Sequence, residues 1–95
     1  ILAVLLAAFL VAALLFPDGY FNFVYVDGNH TYEFVRRDLE VYRPKLKPDA
    51  VLAGDDYALR GWREWGVKRA VDEAVREHAY EPIWLGRQFV LRLPP

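Results

Sequence analysis

The sequence predicts an α/β protein with a mixed parallel and antiparallel sheet and flanking helices. Two short apolar runs, residues 21–26 and 50–54, are rich in aromatic, β-branched or small side chains and end at turn-forming residues, as buried strands do. A helical pattern over residues 31–43 separates them. The order strand, helix, strand with continuously apolar strands is typical of a parallel pair joined by a right-handed crossover.

Two stretches have the spacing of amphipathic helices. In the first, residues 31–43, Thr31 is placed to be the N-cap and Pro44 ends the helix. Its apolar face consists of Tyr32, Val35, Leu39 and Tyr42. The second, residues 67–79, has the clearer apolar stripe, with charges on the opposite face. Its apolar positions are Val67, Ala70, Val71, Ala74, Val75 and His78.

The remaining segments are shorter. Residues 45–49 are predicted to form a polar turn, and residues 57–66 a loop that contains Trp62 and Trp65. Residues 83–85 and 88–93 are two apolar runs separated by Gly86-Arg87, which predicts a hairpin with a tight turn.

The first sixteen residues carry no charge and no polar side chain. Alanine and leucine favour helices, so one interpretation is a buried apolar helix. The other is a truncated membrane segment, since sixteen helical residues reach only about 24 Å of a roughly 30 Å hydrocarbon core. On either interpretation the chain divides into an apolar N-terminal helix, residues 1–16, and a second part, residues 17–95.

Length and charge exclude several classes of protein. The chain has 95 residues, a net charge of -1 and no cysteine. The charge balance argues against a nucleic-acid partner, because such binding depends on neutralising phosphates. The absence of cysteine excludes a disulfide scaffold, a thiolate zinc site and a cysteine nucleophile.

Acidic side chains follow both predicted parallel strands. Asp27 comes after the first strand and Asp55 and Asp56 after the second, with His30 nearby. Ligands of open parallel sheets bind beyond the carboxyl ends of the strands, and clustered carboxylates favour Mg²⁺ or Ca²⁺. His30 is a candidate general base there. The alternative is that these aspartates are ordinary turn and helix-cap residues.

Three other features have simpler interpretations. His78 is expected to be a partly buried or helix-capping histidine. Trp62 and Trp65 could line a substrate pocket or pack as a hydrophobic lid. Arg36 and Arg37 are expected to lie on a solvated helix face with no specific role.

Several motifs together resemble a known family. The segments VDGNHTYE, DLE, LKPDA and AGDDY, followed by GVKRAVDEAVRE and FVLRL, resemble the second half of a class I S-adenosylmethionine-dependent methyltransferase. The resemblance covers about residues 16–93. It implies a Rossmann-like sheet in which this chain supplies the equivalents of strands 4, 5, 6 and 7.

The resemblance also implies an activity. In metal-dependent relatives that methylate hydroxyl groups, the positions matching Asp27, Asp55 and Asp56 hold a divalent cation such as Mg²⁺. His30 matches the general base, and Gly28 and Asn29 would lie near the S-adenosylmethionine. A small molecule would be the methyl acceptor, with no nucleic acid involved.

The sequence departs from the family pattern in two places. Asp49-Ala50 stands where the family has Gly-Gly. Residues 1–16 contain no glycine, so the glycine-rich loop that holds the cofactor's amino-acid end has no counterpart, nor have the first three strands.

Other functions therefore stay open. The chain could be a non-catalytic methyltransferase fragment that acts as an interaction or membrane-associated module. If the strand over residues 21–26 had no neighbour on one side, it would leave an apolar sheet edge through which two copies could associate. A small metal-dependent hydrolase is a further alternative. The expected location is cytoplasmic, or at a membrane through residues 1–16.

Overall fold

In a computed structural model, five strands among the described residues form one mixed sheet, in the order β1-β2-β3-β5-β4. The structure describes residues 2–5, for which it gives the backbone, and residues 15–26, 31–55, 57 and 66–95. The elements are β1 (Leu2–Leu5), β2 (Phe21–Val26), α1 (Tyr32–Tyr42), β3 (Leu46–Gly54), α2 (Gly66–His78), β4 (Glu81–Leu85) and β5 (Gln88–Arg92).

The strand directions confirm the α/β prediction. Strands β1, β2 and β3 are parallel, whereas β5 is antiparallel to both β3 and β4. The β4–β5 hairpin turns at Gly86, whose φ of 62° suits a tight turn. The parallel pair, its intervening helix and the hairpin are thus where the sequence predicted them.

The core lies on the face of the sheet that both helices cover. Val24, Leu52 and Leu91 are aligned across β2, β3 and β5, and all three are fully buried. The inward face of α1 contributes Val35, Leu39 and Tyr42. The inward face of α2 contributes Val67, Ala70, Val71 and Ala74. Along β2 and β5 the side chains alternate between this core and the other face of the sheet, whereas β4 is exposed throughout.

The helix boundaries agree with the sequence to within about one residue. Thr31 holds the N-cap position of α1, although its side chain makes no capping hydrogen bond. The Val35 N–H donates to the Thr31 carbonyl oxygen at 3.0 Å. A 3₁₀ turn, Arg43–Lys45, follows α1, with Pro44 inside it. The second helix begins at Gly66, one residue before the expected start.

The predicted helix over residues 1–16 is wrong where the structure describes it. Leu2–Leu5 is a strand, paired in parallel with β2 so that Leu2 lies beside Phe23 and Leu5 beside Val26. Helix propensity differs by only about 0.7 kcal/mol per residue. It is outweighed here because β1 satisfies the peptide groups along the free edge of β2.

The structure describes only the last two residues of the rest of that apolar segment. Residues 6–14 lie outside the described part of the chain, and Leu15 and Phe16 belong to a turn. Among the described residues no helix is long and apolar enough to cross a bilayer.

The predicted polar turn over residues 45–49 is also wrong. The chain is already extended at Leu46, which pairs with Phe21, so β3 is longer than its apolar part. The register then shifts between Phe21 and Phe23, and Asp49 has a φ of 63°. An irregularity inside a long strand looks like a turn in sequence, because both contain proline and aspartate.

Arg36 has a specific role that the sequence did not indicate. Its guanidinium forms an ion pair with Glu77 and lies 4.0 Å from Glu73, so it joins α1 to α2. His78, half-buried as expected, contacts Glu40 of α1 at 2.9 Å. These partly solvated pairs stabilise the helix contact modestly and fix how the two helices lie against each other.

Asp38 is a buried carboxyl group on the inward side of α1, with an exposed fraction of 2%. Its Oδ1 has no hydrogen-bond partner in the described part of the chain. Burial raises the pKa of this carboxyl. The folded state therefore holds the Asp38 proton more tightly than the unfolded state does, and ionising this group at higher pH costs stability.

Asp49→Gly is expected to stabilise the fold by about 0.5–1 kcal/mol, because glycine adopts a positive φ without the clash of a Cβ. Chemical denaturation measures the change. Asp49→Ala is the matched control and should not raise the free energy of unfolding, since alanine keeps the Cβ and therefore the clash that aspartate already has. Equal stability of the two variants would contradict the strain at Asp49.

Asp38→Asn is expected to raise the free energy of unfolding at neutral pH by about 1 kcal/mol. It should also flatten the loss of stability that ionisation of Asp38 causes as the pH rises above 3.8, the ordinary value of its pKa. Denaturation curves between about pH 4 and pH 7 test this. The exposed Asp18→Asn is the control, and a destabilised Asp38→Asn at every pH would disprove the argument.

Candidate functional site

The predicted acidic edge is built on the register between β2 and β3. Val26 pairs with Gly54 at the carboxyl ends of the two strands. In the sequence the next residues are Asp27 and Asp55. The parallel arrangement therefore brings Val26 and Gly54, the residues that precede the two acidic segments, to one edge of the sheet.

Only one predicted site residue lies within the described part of the chain. Asp55 is half-buried directly after β3. Residues 27–30, which contain Asp27, Gly28, Asn29 and His30, lie outside it, as does Asp56. Trp62 and Trp65 also lie outside. The roles of these residues therefore stay predictions from sequence.

Gly54 fits a space that admits no side chain. A Cβ built there would lie 2.5 Å from both Phe89 Cζ and the Val26 carbonyl oxygen. The Phe89 ring, fully buried, thus lies against the backbone where β2 and β3 end. Close packing at this point fixes the spacing between the two strand ends.

Tyr57 is held by groups from three other parts of the fold. Its hydroxyl donates to Asp72 Oδ1 at 2.7 Å, and its ring stacks on Trp84 with centroids 4.2 Å apart. Its backbone N–H donates to the Arg87 carbonyl oxygen at 2.8 Å. Lys68 donates to the other Asp72 oxygen, also at 2.7 Å. The residue two positions after Asp55 is therefore fixed in place.

The ionisation states around Asp72 support this arrangement. Burial, followed by the hydrogen bond to Asp72, raises the pKa of Tyr57. The same carboxylate, through its hydrogen bond, raises the pKa of Lys68. At neutral pH the phenol is therefore a neutral donor, and Lys68 is the charged partner of Asp72.

A similar cluster lies at the start of α1. The Tyr32 hydroxyl donates to Glu73, and the Arg69 guanidinium lies 3.9 Å from the centre of the Tyr32 ring. Arg69 also lies 3.6 Å from the Glu73 carboxylate. The hydrogen bond to Glu73 raises the pKa of Tyr32, which stays a neutral donor. The residue two positions after His30 is thus joined to α2.

The sequence analysis missed these tyrosine contacts. The spacing of Lys68 with Asp72 and of Arg69 with Glu73 is four residues, which is the spacing of ion pairs along a helix. That signal could have indicated the two pairs. The tyrosine partners could not be found in this way, because they come from distant segments.

A second group of possible metal ligands lies elsewhere. Within the described ranges, Glu40, Glu77 and His78 bring three ligand atoms within 4.8 Å of one another. The group joins the C-terminal parts of α1 and α2, the end of the sheet opposite Asp55. Arg36 and Arg43 pair with its carboxylates, so we interpret it as an ion-pair network between helices.

A surface hollow of about 450 Å³ opens along the outer side of α2. Its described lining is Lys68, Arg69, Asp72, Glu73 and Arg76. All five side chains are charged, whereas small-molecule pockets are lined mainly by apolar side chains. We therefore do not assign the hollow to an acceptor molecule.

Comparison with known proteins agrees with this architecture. The profile of a family described as a methyltransferase domain matches residues 2–57. The chain belongs to this methyltransferase-domain family, and its fold is a partial Rossmann-like methyltransferase fold. The match includes β1, so the expectation that the start of the chain has no counterpart in the family is wrong there.

Solved structures support the same fold. A crystal structure of a Corynebacterium glutamicum protein superimposes on 90% of the chain with a TM-score of 0.67 and 16% sequence identity. The chain spans 44% of the length of that protein. At this identity the likeness concerns the fold alone. A comparison with curated protein sequences found no match.

Gly54→Ala is expected to lower the free energy of unfolding by about 2–3 kcal/mol, because the added methyl group overlaps the Phe89 ring and the Val26 backbone. Chemical denaturation measures the loss. Gly86→Ala is the control, since that position is open and only its φ of 62° opposes a side chain. A smaller loss at Gly54 than at Gly86 would contradict the close packing.

Proposed function

We propose that this chain supplies the metal- and acceptor-binding edge of an S-adenosylmethionine-dependent methyltransferase that methylates a hydroxyl group of a small molecule. The observation that carries the proposal is the pairing of Val26 with Gly54, the residues that directly precede Asp27 and Asp55 in the sequence. Membership of the methyltransferase-domain family supports the reaction class.

The donor set of this edge suits a hard divalent cation. Asp27, Asp55 and Asp56 offer carboxylate oxygens, which Mg²⁺ prefers, and the chain has no cysteine to favour a softer metal. Asp55 is half-buried, so its charge is less screened by water than that of a fully exposed aspartate. A bound Mg²⁺ would lower the pKa of an acceptor hydroxyl and orient it.

His30 is the proposed general base. Its ordinary pKa lies near neutrality, so a neutral imidazole can accept the hydroxyl proton at physiological pH. The acceptor oxygen would then form a bond to the methyl carbon of S-adenosylmethionine while the carbon–sulfur bond breaks. The proton ends on His30, and the products are the methyl ether and S-adenosylhomocysteine.

The cofactor site is only partly represented in this sequence. Gly28 and Asn29 are the positions proposed to lie near S-adenosylmethionine. The glycine-rich loop of the family has no counterpart in residues 1–16, and the chain spans 44% of its structural neighbour. The residues present fit the metal and the acceptor better than they fit the amino-acid end of the cofactor.

Calorimetric titration of the folded chain with S-adenosylmethionine, with and without Mg²⁺, tests the proposal. Saturable binding of the cofactor would support a methyltransferase site, whereas no binding by a folded chain would indicate that the family relationship reflects ancestry alone. Folding is checked first by circular dichroism and a cooperative unfolding transition.

Asp55→Ala and Asp27→Ala are each expected to weaken Mg²⁺ binding by at least about 10-fold, since each removes a charged oxygen ligand. Isothermal titration with Mg²⁺ alone measures this. Glu81→Ala removes an exposed carboxylate at the start of β4 and is the matched control. Unchanged Mg²⁺ affinity in both aspartate variants would disprove the metal site.

A further inference from the structure

The two tyrosine clusters share one arrangement. Tyr32 follows the segment with Asp27 and His30, and Tyr57 follows the segment with Asp55 and Asp56. Each tyrosine donates its hydroxyl to a carboxylate of α2, and the two acceptors, Asp72 and Glu73, are consecutive residues. The start of α1 and the chain after β3 are therefore both attached to one point on α2.

The cations of the two clusters, Lys68 and Arg69, are also consecutive residues. Lys68 and Arg69 lie one helical turn before Asp72 and Glu73 and contact them at 2.7 and 3.6 Å. Each cation also lies against the ring of the tyrosine that its carboxylate accepts from. A carboxylate already held by a cation is a well-oriented acceptor, and its hydrogen bond from a neutral phenol is strengthened by its charge.

We infer that Tyr32 and Tyr57 are positioning residues for the proposed metal site: they anchor the start of α1 and the chain after β3, the described points next to the two acidic segments, to Asp72 and Glu73 of α2. The inference rests on the proposed function for what the segments bind. It adds a role for the tyrosines of the VDGNHTYE and AGDDY motifs, which neither metal ligation nor proton transfer requires.

The physical reason lies in the geometry of metal binding. A cation bound by carboxylates from two separate segments needs both segments ordered, and ordering them on binding reduces the affinity. Contacts that order the segments beforehand restore that affinity without touching the ion. Tyr57 is two residues from Asp55, and Tyr32 is two residues from His30, so neither tyrosine needs to contact the metal.

The test uses the full 95-residue chain and removes one hydroxyl at a time. Tyr57→Phe and Tyr32→Phe keep the rings and delete only the hydrogen bonds to α2. Tyr80→Phe is the matched control, because Tyr80 is buried and its hydroxyl has no hydrogen-bond partner in the described part of the chain.

The first measurement is Mg²⁺ affinity by isothermal titration. Each of the two variants is expected to bind Mg²⁺ about 3- to 10-fold more weakly, the effect of one lost hydrogen bond, and the Tyr80→Phe control to bind as the unaltered chain does. The double variant should lose affinity by about the product of the two factors, because the tyrosines have separate acceptors.

The second measurement does not depend on the metal. Amide hydrogen exchange at Asp55 should accelerate in Tyr57→Phe and stay unchanged in Tyr80→Phe, while exchange in the core strand at Leu52 is the same in all variants. A purely structural role for the hydroxyl would change exchange at Leu52 and Asp55 together. Asp72→Asn, which weakens the acceptor, should reproduce the effect of Tyr57→Phe.

The outcomes separate this inference from the proposed function. If the unaltered chain binds Mg²⁺ and the two tyrosine variants bind it equally well, the positioning role is wrong and the metal site stands. If the unaltered chain binds no Mg²⁺, the metal site is wrong, and faster exchange at Asp55 still confirms the anchoring. Unchanged exchange at Asp55 in Tyr57→Phe overturns the anchoring itself.

Discussion

The parallel pairing of β2 with β3 is the constraint on which the rest of the molecule depends. It aligns Val24 with Leu52 in the core and Val26 with Gly54 at the carboxyl edge. The first pair lies in the centre of the surface that both helices cover, and the second ends both strands at one edge of the sheet. A register one residue different would turn the apolar side chains away from the helices and move Val26 away from Gly54.

The second helix, α2, links the core to the candidate site. Its inward face buries Val67, Ala70, Val71 and Ala74 against the sheet. Its other face presents Asp72 and Glu73 to the tyrosines that follow the two strand ends, so packing of the core also sets the position of these anchors. Stability and the positions of Tyr32 and Tyr57 are therefore coupled through one amphipathic helix.

Local patterns allowed much of the fold to be predicted. The helix over residues 67–79, the hairpin around Gly86 and the strand over residues 21–26 all have short-range signals, and the structure agrees with each. The errors arose where long-range pairing outweighed local preference. Leu2–Leu5 is a strand because β2 offered a free edge, and Leu46 is extended because it pairs with Phe21. Such partners are distant in sequence, and no local window contains them.

The sequence by itself determined the family that the chain resembles and indicated candidate site residues, because carboxylates, a histidine and short motifs are readable without coordinates. It also determined that the acidic residues follow apolar strands. Only the tertiary structure decided the neighbour of each strand, the tightness around Gly54 and the attachment of Tyr32 and Tyr57 to adjacent carboxylates. These features depend on the distances between segments that folding brings together, and hydrogen bonds of that kind leave no periodic pattern in the chain.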